Sequence, residues 1–465
     1  MPNLGRRMRR SFVRSFVVFT AICMFAMFLY VLIDQNVSER PNLEKLRQVR
    51  ANALQRRFLR ETKNRVQAVA RNTSHRLPSL EKKPVGPVGK VNEADLLEKN
   101  PIKYYLWKSN NLPLPNYNVH AFYYPWYGTP DVDGEYIHWN HPFLPHWNKE
   151  ETAKYPSGKH QPPDDIGSNF YPEIGAYSSK NETVVHLHMY QIRLAGIGVA
   201  VVSWYPPDKK DDNGKSLDSV MPLLLQVAHE HKLKIAIHSE PYKERDATHM
   251  RNDIVYFMDK YGNHPAMYRF KKTNDVSLPM VYVYDSYLTD TQDWIDLLQP
   301  NGKSTVRGTK YDCVFISLLV TDRHKGLIER ANFDGFYTYF AANGFTYGST
   351  HRNWPQLKEI ADKTGKLFIP SIGPGYVDTQ VRPWNGQTTR DRQSGMYYMN
   401  SFQDALRLKP PIVSITSFNE WHEGTQIEPA VPKKTPQFTY LDYGKQGPLS
   451  YLEATRHYAS LVGHQ

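Results

Sequence analysis

Cysteine is almost absent from this chain: Cys23 and Cys313 are the two found in 465 residues. Each sits in an apolar run, one N-terminal and one strand-like, which excludes a bridge between them and any disulfide framework. A hydrophobic content of 40% over this length supplies a core that needs no such staples. Excess charge is also missing from most of the chain. Residues 1–100 hold 20 Lys and Arg against 8 Asp and Glu, which accounts for the whole net charge of +12, and the remainder is balanced at 38 against 38. A neutral folded region has no general attraction for phosphates, so no nucleic acid is expected as partner. There is no internal repeat of fixed period. Gly196-Ile-Gly198 lacks the third glycine of a dinucleotide loop, and the strand tips carry no serine elbow, cysteine or lysine.

What the N-terminus does have is one long apolar run. Phe16 to Ile33 spans eighteen residues preceded by Arg6, Arg7, Arg9, Arg10 and Arg14 and followed by Asp34. That is enough to cross a bilayer, and the arginines keep the N-terminus cytosolic. The expected organisation is a cytosolic tail (1–15), a signal anchor (16–33), a luminal stalk and linker (34–100) and one folded domain (101–465). The stalk is charged and helix-prone, then rich in Pro, Gly and Lys. Sequons at Asn36, Asn72 and Asn181 all fall on the expected luminal side.

Eight apolar, β-branched or aromatic runs follow, at 119–127, 197–205, 234–240, 278–285, 313–320, 335–341, 367–373 and 412–419. Amphipathic segments alternate with them: 182–194, 217–231, 247–261, 292–298, 322–331, 355–363, 396–408 and 449–461. Near-continuous apolar strands are those buried on both faces, and eight βα units predict a TIM barrel, fold class α/β. The insertion from Gly128 to Ser179 after the first strand belongs on the C-terminal face, where barrels carry their chemistry.

The candidate site residues are therefore those at strand ends: Tyr124 and Trp126, Trp204 and Tyr205, His238 and Glu240, Tyr284 and Asp285, Tyr339, and Glu420, Trp421 and Glu423. Rings that stack on sugar faces, together with carboxylates that move protons, suit a carbohydrate cleft. Two glutamates three apart usually mark a solvated helix face. Their position after the eighth strand is what gives Glu420 and Glu423 weight, because two nearby carboxyls with little compensating charge split their pKa values into an acid and a base. Asp131-Val-Asp133 would fit a metal-dependent glycosyltransferase, and His186-Leu-His188 or His138-x-x-His141 a metal hydrolase, but each motif is short and common. A non-catalytic glycan-binding module would share the cleft and lack one carboxyl. The loop from Pro206 to Lys215 is polar and glycine-containing, which predicts a mobile lid.

Longer motifs narrow the reading. Ser417-Phe-Asn-Glu-Trp-His-Glu-Gly-Thr-Gln-Ile-Glu428, with Tyr136-Ile-His-Trp-Asn-His-Pro142, Pro162-Pro-Asp-Asp-Ile-Gly167 and Ser203-Trp-Tyr-Pro-Pro207, resembles the endo-α-1,2-mannosidases of glycoside hydrolase family 99. The resemblance runs from about residue 100 to the C-terminus, and the tail, anchor and stalk look like those of the family's animal Golgi members. It implies cleavage within high-mannose N-glycans, with retention, without metal or other cofactor, by way of a 1,2-anhydro sugar. Carried onto this chain, Glu420 is the base and Glu423 the acid. Trp204 and Tyr205 line the subsite of the sugar preceding the cleaved mannose.

Overall fold

The computed structural model describes residues 112–463 except 212 and 274. The tail, the anchor, the stalk, Cys23 and the sequons at Asn36 and Asn72 lie outside the described residues. Among those described, no helix is long and apolar enough to cross a membrane.

Eight parallel strands close a barrel: β1 (Asn116–Tyr123), β2 (Ile197–Trp204), β3 (Lys234–Ser239), β4 (Ser277–Val283), β5 (Val314–Leu318), β6 (Gly335–Tyr337), β7 (Leu367–Ile369, resumed as Ser371–Ile372) and β8 (Val413–Ile415). Each pairs with the next, and β8 returns to β1 through Val119 and Val413. The seam lies at Pro370, which has no N–H for a ladder. Before it β7 pairs with β6, and after it β7 pairs with β8. The Pro370 carbonyl still serves, accepting from Ser414 N at 3.1 Å. A short antiparallel strand, Arg269–Lys271, flanks β4.

The outer ring is α1 (Glu182–Leu194), α2 (Met221–Glu230), α3 (Ala247–Tyr261), α4 (Thr291–Leu298), α5 (His324–Arg330), α6 (Trp354–Thr364), α7 (Met396–Leu406) and α8 (Ser450–Ala459). Local chemistry sets their ends. Asn181 caps α1 by accepting from Thr183 N and Val184 N, and Asp246 caps α3 by accepting from His249 N. Gly365, at φ 64°, ends α6 in the left-handed conformation that glycine adopts without strain. The expected helix 217–231 begins with a 3₁₀ turn, Asp218–Val220, before α2.

The barrel interior is aromatic where aliphatic layers are usual. Phe122 packs on His238 at 4.7 Å and on Tyr337 at 5.6 Å, and Tyr337 meets Tyr282 edge-on at 5.1 Å. Truncating a ring such as Phe122 to alanine would cost about 3–5 kcal/mol. His120 below them bonds Tyr282 Oη at 2.8 Å, and burial lowers its pKa to about 3, so it stays neutral. Cys313 is a buried free thiol.

Candidate active site

Glu420 and Glu423 leave β8 through a hydrogen-bonded knot. Ser417 Oγ accepts from Glu420 N at 2.7 Å and meets Thr425 Oγ1 at 2.9 Å, while Ser417 N donates to Thr425 O at 2.9 Å. The turn requires Gly424: its φ is 60°, and a Cβ there would lie 2.6 Å from Val377 O. Val377 N in turn donates to Glu423 O at 2.9 Å, which docks the loop after β7 against the pair.

Both carboxyls are raised. Burial comes first for each, and the charge of Glu423 pushes Glu420 up further, well above the usual range. Glu423 is pushed up to about 7 by burial, with Arg382 opposing and Asp378 assisting. Burial and mutual repulsion thus hold both carboxyls above the usual carboxylate range, the condition under which a coupled pair shares a proton. Glu420 accepts one backbone bond, from His422 N at 3.0 Å.

Across the barrel mouth, Glu240 accepts from Ser203 Oγ at 2.8 Å and lies 3.3 Å from His238 Nδ1. His238 Nε2 bonds Tyr337 Oη at 2.7 Å. The hydroxyls of Tyr124 and Tyr339 bond each other, and Tyr284 meets Tyr339 edge-on at 4.9 Å. Burial raises the Tyr124 phenol, and the negative charges of Glu420, Glu240 and Glu423 raise it further. Three carboxyls thus face one group of tyrosines. Trp126 stacks on His138 at 4.6 Å beside them, and half-buried Tyr205 follows β2. Asp285 sits past β4 at φ 45°, its carboxyl raised by burial and its carbonyl accepting from Arg245 Nη2 at 2.6 Å. A cavity of about 470 Å³ opens just beyond Glu240, lined by residues including Pro241, Tyr242, Arg245 and Leu288.

Two expected cleft residues are elsewhere. Trp204 is 1% exposed; its ring packs on Phe257 of α3 and its Nε1 donates to Asp218 at 3.1 Å. Side chains alternate along a strand, so with Ser203 reaching Glu240 inside, Trp204 must point to the helix layer. Trp421 is fully buried and donates from Nε1 to Glu428 Oε2 at 3.0 Å, where Tyr177 Oη also donates at 2.8 Å. It anchors the loop from below.

The loop from Pro206 to Lys215, expected to be a mobile lid, is bonded to its surroundings at Asp211 and Lys215. Asp211 is buried, bonds His138 Nε2 at 3.0 Å and accepts from Lys215 N at 2.8 Å, and Lys215 Nζ reaches Glu135 at 2.6 Å. Composition hid this because one buried aspartate outweighs several exposed polar neighbours.

The histidine and aspartate motifs resolve into structural bonds. His141 and His422 pack at 4.7 Å, and burial lowers His141 to about 4 and His422 well below its usual range. His422 Nδ1 donates to Gly167 O at 2.7 Å. His188 meets Tyr123 Oη at 3.0 Å, and His186 lies apart on the same helix against His231 at 3.2 Å. Asp133 accepts from Thr129 N at 3.0 Å and pairs with Lys180 at 3.0 Å. Among the described residues no group of three His, Cys, Asp or Glu could hold a metal.

Sequence reading missed the loop after β7. Arg382 pairs with Asp378 at 3.1 Å, and Tyr376 donates to the same carboxylate at 2.9 Å; both feel the charge of Glu423. Three arginines, Arg382, Arg390 and Arg392, fall in that loop, and nothing in the sequence separates the first from the other two.

The sequence profile of Glycosyl hydrolase family 99 matches residues 113–462. A "Glycoprotein endo-alpha-1,2-mannosidase" of Rattus norvegicus is 55% identical over 345 residues, 74% of this chain and 75% of that protein. Its counterpart in Xenopus laevis is 53% identical over 366 residues, 79% and 82% of the two chains. The solved GH99 endo-alpha-mannosidase of Bacteroides thetaiotaomicron shares 42% identity at a TM-score of 0.69, covering 75% of this chain and 98% of that one. With its barrel and both strand-end carboxyls inside the matched region, the chain belongs to glycosyl hydrolase family 99 and is a glycoside hydrolase.

Proposed function

We propose that this enzyme cleaves the α-1,2-mannosidic bond inside glucosylated high-mannose N-glycans, releasing glucosyl-mannose with retention of configuration. The observation that carries the reading is the buried Glu420–Glu423 pair at the end of β8, both carboxyls raised by burial, beside the cation of Arg382. In an α-mannoside the 2-hydroxyl and the glycosidic oxygen lie on opposite faces of the ring, so O2 can attack C1 from behind. Glu420 takes the 2-hydroxyl proton, O2 bonds to C1, the glycosidic C1–O bond breaks, and Glu423 gives its proton to the leaving oxygen. The ligand-free pair shares one proton between its two carboxyls. A hydrogen bond from the substrate hydroxyl favours ionised Glu420 and moves that proton to Glu423. Water then donates a proton to Glu423 and its oxygen to C1, the C1–O2 bond opens, and Glu420 returns its proton to O2. Two inversions give retention.

The setting fits the same substrate. A type II anchor at Phe16–Ile33 would hold the catalytic domain in the Golgi lumen, the one helix being its membrane partner, and no cofactor enters any step. Incubating the luminal fragment with a monoglucosylated high-mannose glycan and sizing the products tests the reading. The expected product is a glucosyl-mannose disaccharide; release of single sugars, or no release, would overturn it.

A further inference from the structure

Trp147 is 76% exposed, the largest aromatic surface given to solvent among the described residues. Trp384 beside it is half-buried, so the two rings form one apolar surface. The Trp147 ring does not dangle. Its neighbour His146 lies against it, tilted, with ring centroids 3.8 Å apart, and Trp384 meets it edge-on at 4.7 Å. The turn that presents it is built: Asn148 caps the one-turn helix Lys149–Thr152 through Glu150 N at 3.0 Å, and Thr152 Oγ1 returns to His146 O at 3.1 Å. Two bonds fix the partner ring, since Trp384 Nε1 donates to Leu144 O at 3.2 Å and Leu144 N donates to Val381 O at 2.8 Å. A patch rigid before anything binds loses little entropy on binding.

Its position says what it binds. Trp384 lies between Arg382 and Asn385, both of which bond Asp378, and this loop docks on Glu423 through Val377 N at 2.9 Å. Glu423 is the acid in the proposed reaction, so its side of the cleft is where the leaving oxygen and everything attached to it must lie. The platform is uncharged, which suits a pyranose face.

We propose that Trp147 and Trp384 form a stacking subsite for the leaving part of the glycan, the mannose residues between the cleaved bond and the protein. This rests on the glycosidase reading above and adds a determinant of substrate length to it. The rival occupant is a lipid surface, to which an exposed tryptophan on a membrane-anchored protein could also adhere.

The test compares two substrates on wild type, Trp147→Ala and Trp147→Phe. One is a full high-mannose N-glycan; the other is the matching glucosyl-mannosyl fluoride, whose leaving group is too small to touch the platform. The ratio of kcat/KM for glycan over fluoride should fall about tenfold in Trp147→Ala, the loss of one ring stack, and recover largely in Trp147→Phe. A ratio unchanged in Trp147→Ala would overturn the subsite. So would an unchanged ratio accompanied by lost sedimentation with phosphatidylcholine vesicles, which would assign the patch to the membrane. Wild type that cleaves neither substrate would overturn the glycosidase reading itself, and the subsite with it.

Discussion

Arg382 bonds Asp378 through Nη1 at 3.1 Å while its charge bears on Glu423, so one guanidinium holds a structural partner and trims the pKa of a catalytic candidate. Burial raises that carboxyl and Arg382 pulls it back to about 7. The same cation lowers Glu420.

The sign of one pH effect follows. Removing the cation in Arg382→Met raises both carboxyls, so the singly protonated pair persists over a more alkaline window. The profile of kcat/KM against pH should move up by about one unit, the lower end for a nearby charge. A profile that stays in place, or shifts to acid, would break the link between Arg382 and the pair.

Glu420→Gln and Glu423→Gln should each reduce turnover on the glycan by at least about 10²-fold, since an amide keeps the shape and cannot exchange the proton. An activated aryl leaving group needs no protonation. It should restore the first step in Glu423→Gln and not in Glu420→Gln, where the 2-hydroxyl still lacks its base. Equal rescue of both variants would reverse or void the roles.

Trp204 offers a contrast. Phenylalanine there keeps the packing on Phe257 and loses the bond to Asp218, so urea unfolding should show a loss of about 1 kcal/mol. Substrate KM should stay within about twofold, because no part of a ring 1% exposed reaches the cleft. A large rise in KM with stability intact would return Trp204 to the binding site.

Gly424→Ala probes the turn that holds the pair. A left-handed alanine whose Cβ meets Val377 O at 2.6 Å forces the loops after β7 and β8 apart. Stability should fall by about 1–3 kcal/mol, and turnover more steeply than that loss alone would explain. Calorimetry and kcat on the same preparation separate the two.

These residues also show how much could be read in advance. All eight strands and eight helices were legible, because parallel strands buried on both faces leave unbroken apolar runs and helices leave a 3.6-residue stripe. Position after the eighth strand drew attention to Glu420 and Glu423, and the family resemblance supplied their expected roles. Trp204 and Tyr205 could not both face inward, and the alternation that separates them was present in the sequence. Trp421 was harder, since its direction depends on Glu428, seven residues on and buried under the turn. Arg382 and Asp211 were not legible: each sits in irregular backbone where no period applies, and each owes its role to a partner supplied by another part of the fold.

The interruption at Pro370 also makes turnover a reporter of barrel closure. The resumed part of β7 meets β8 through Ser371–Ser414 and Ile372–Ile415, and Arg382 and the glutamate pair hang from opposite sides of that short join. Opening it would leave all eight strands paired in one open sheet, from β8 through β1 to the first part of β7, while separating the cation from the carboxyls it tunes. On gentle heating, activity should therefore vanish while most of the far-ultraviolet signal survives, and should return on cooling. The glutamate pair would then act as a fuse placed at the shortest ladder of the ring.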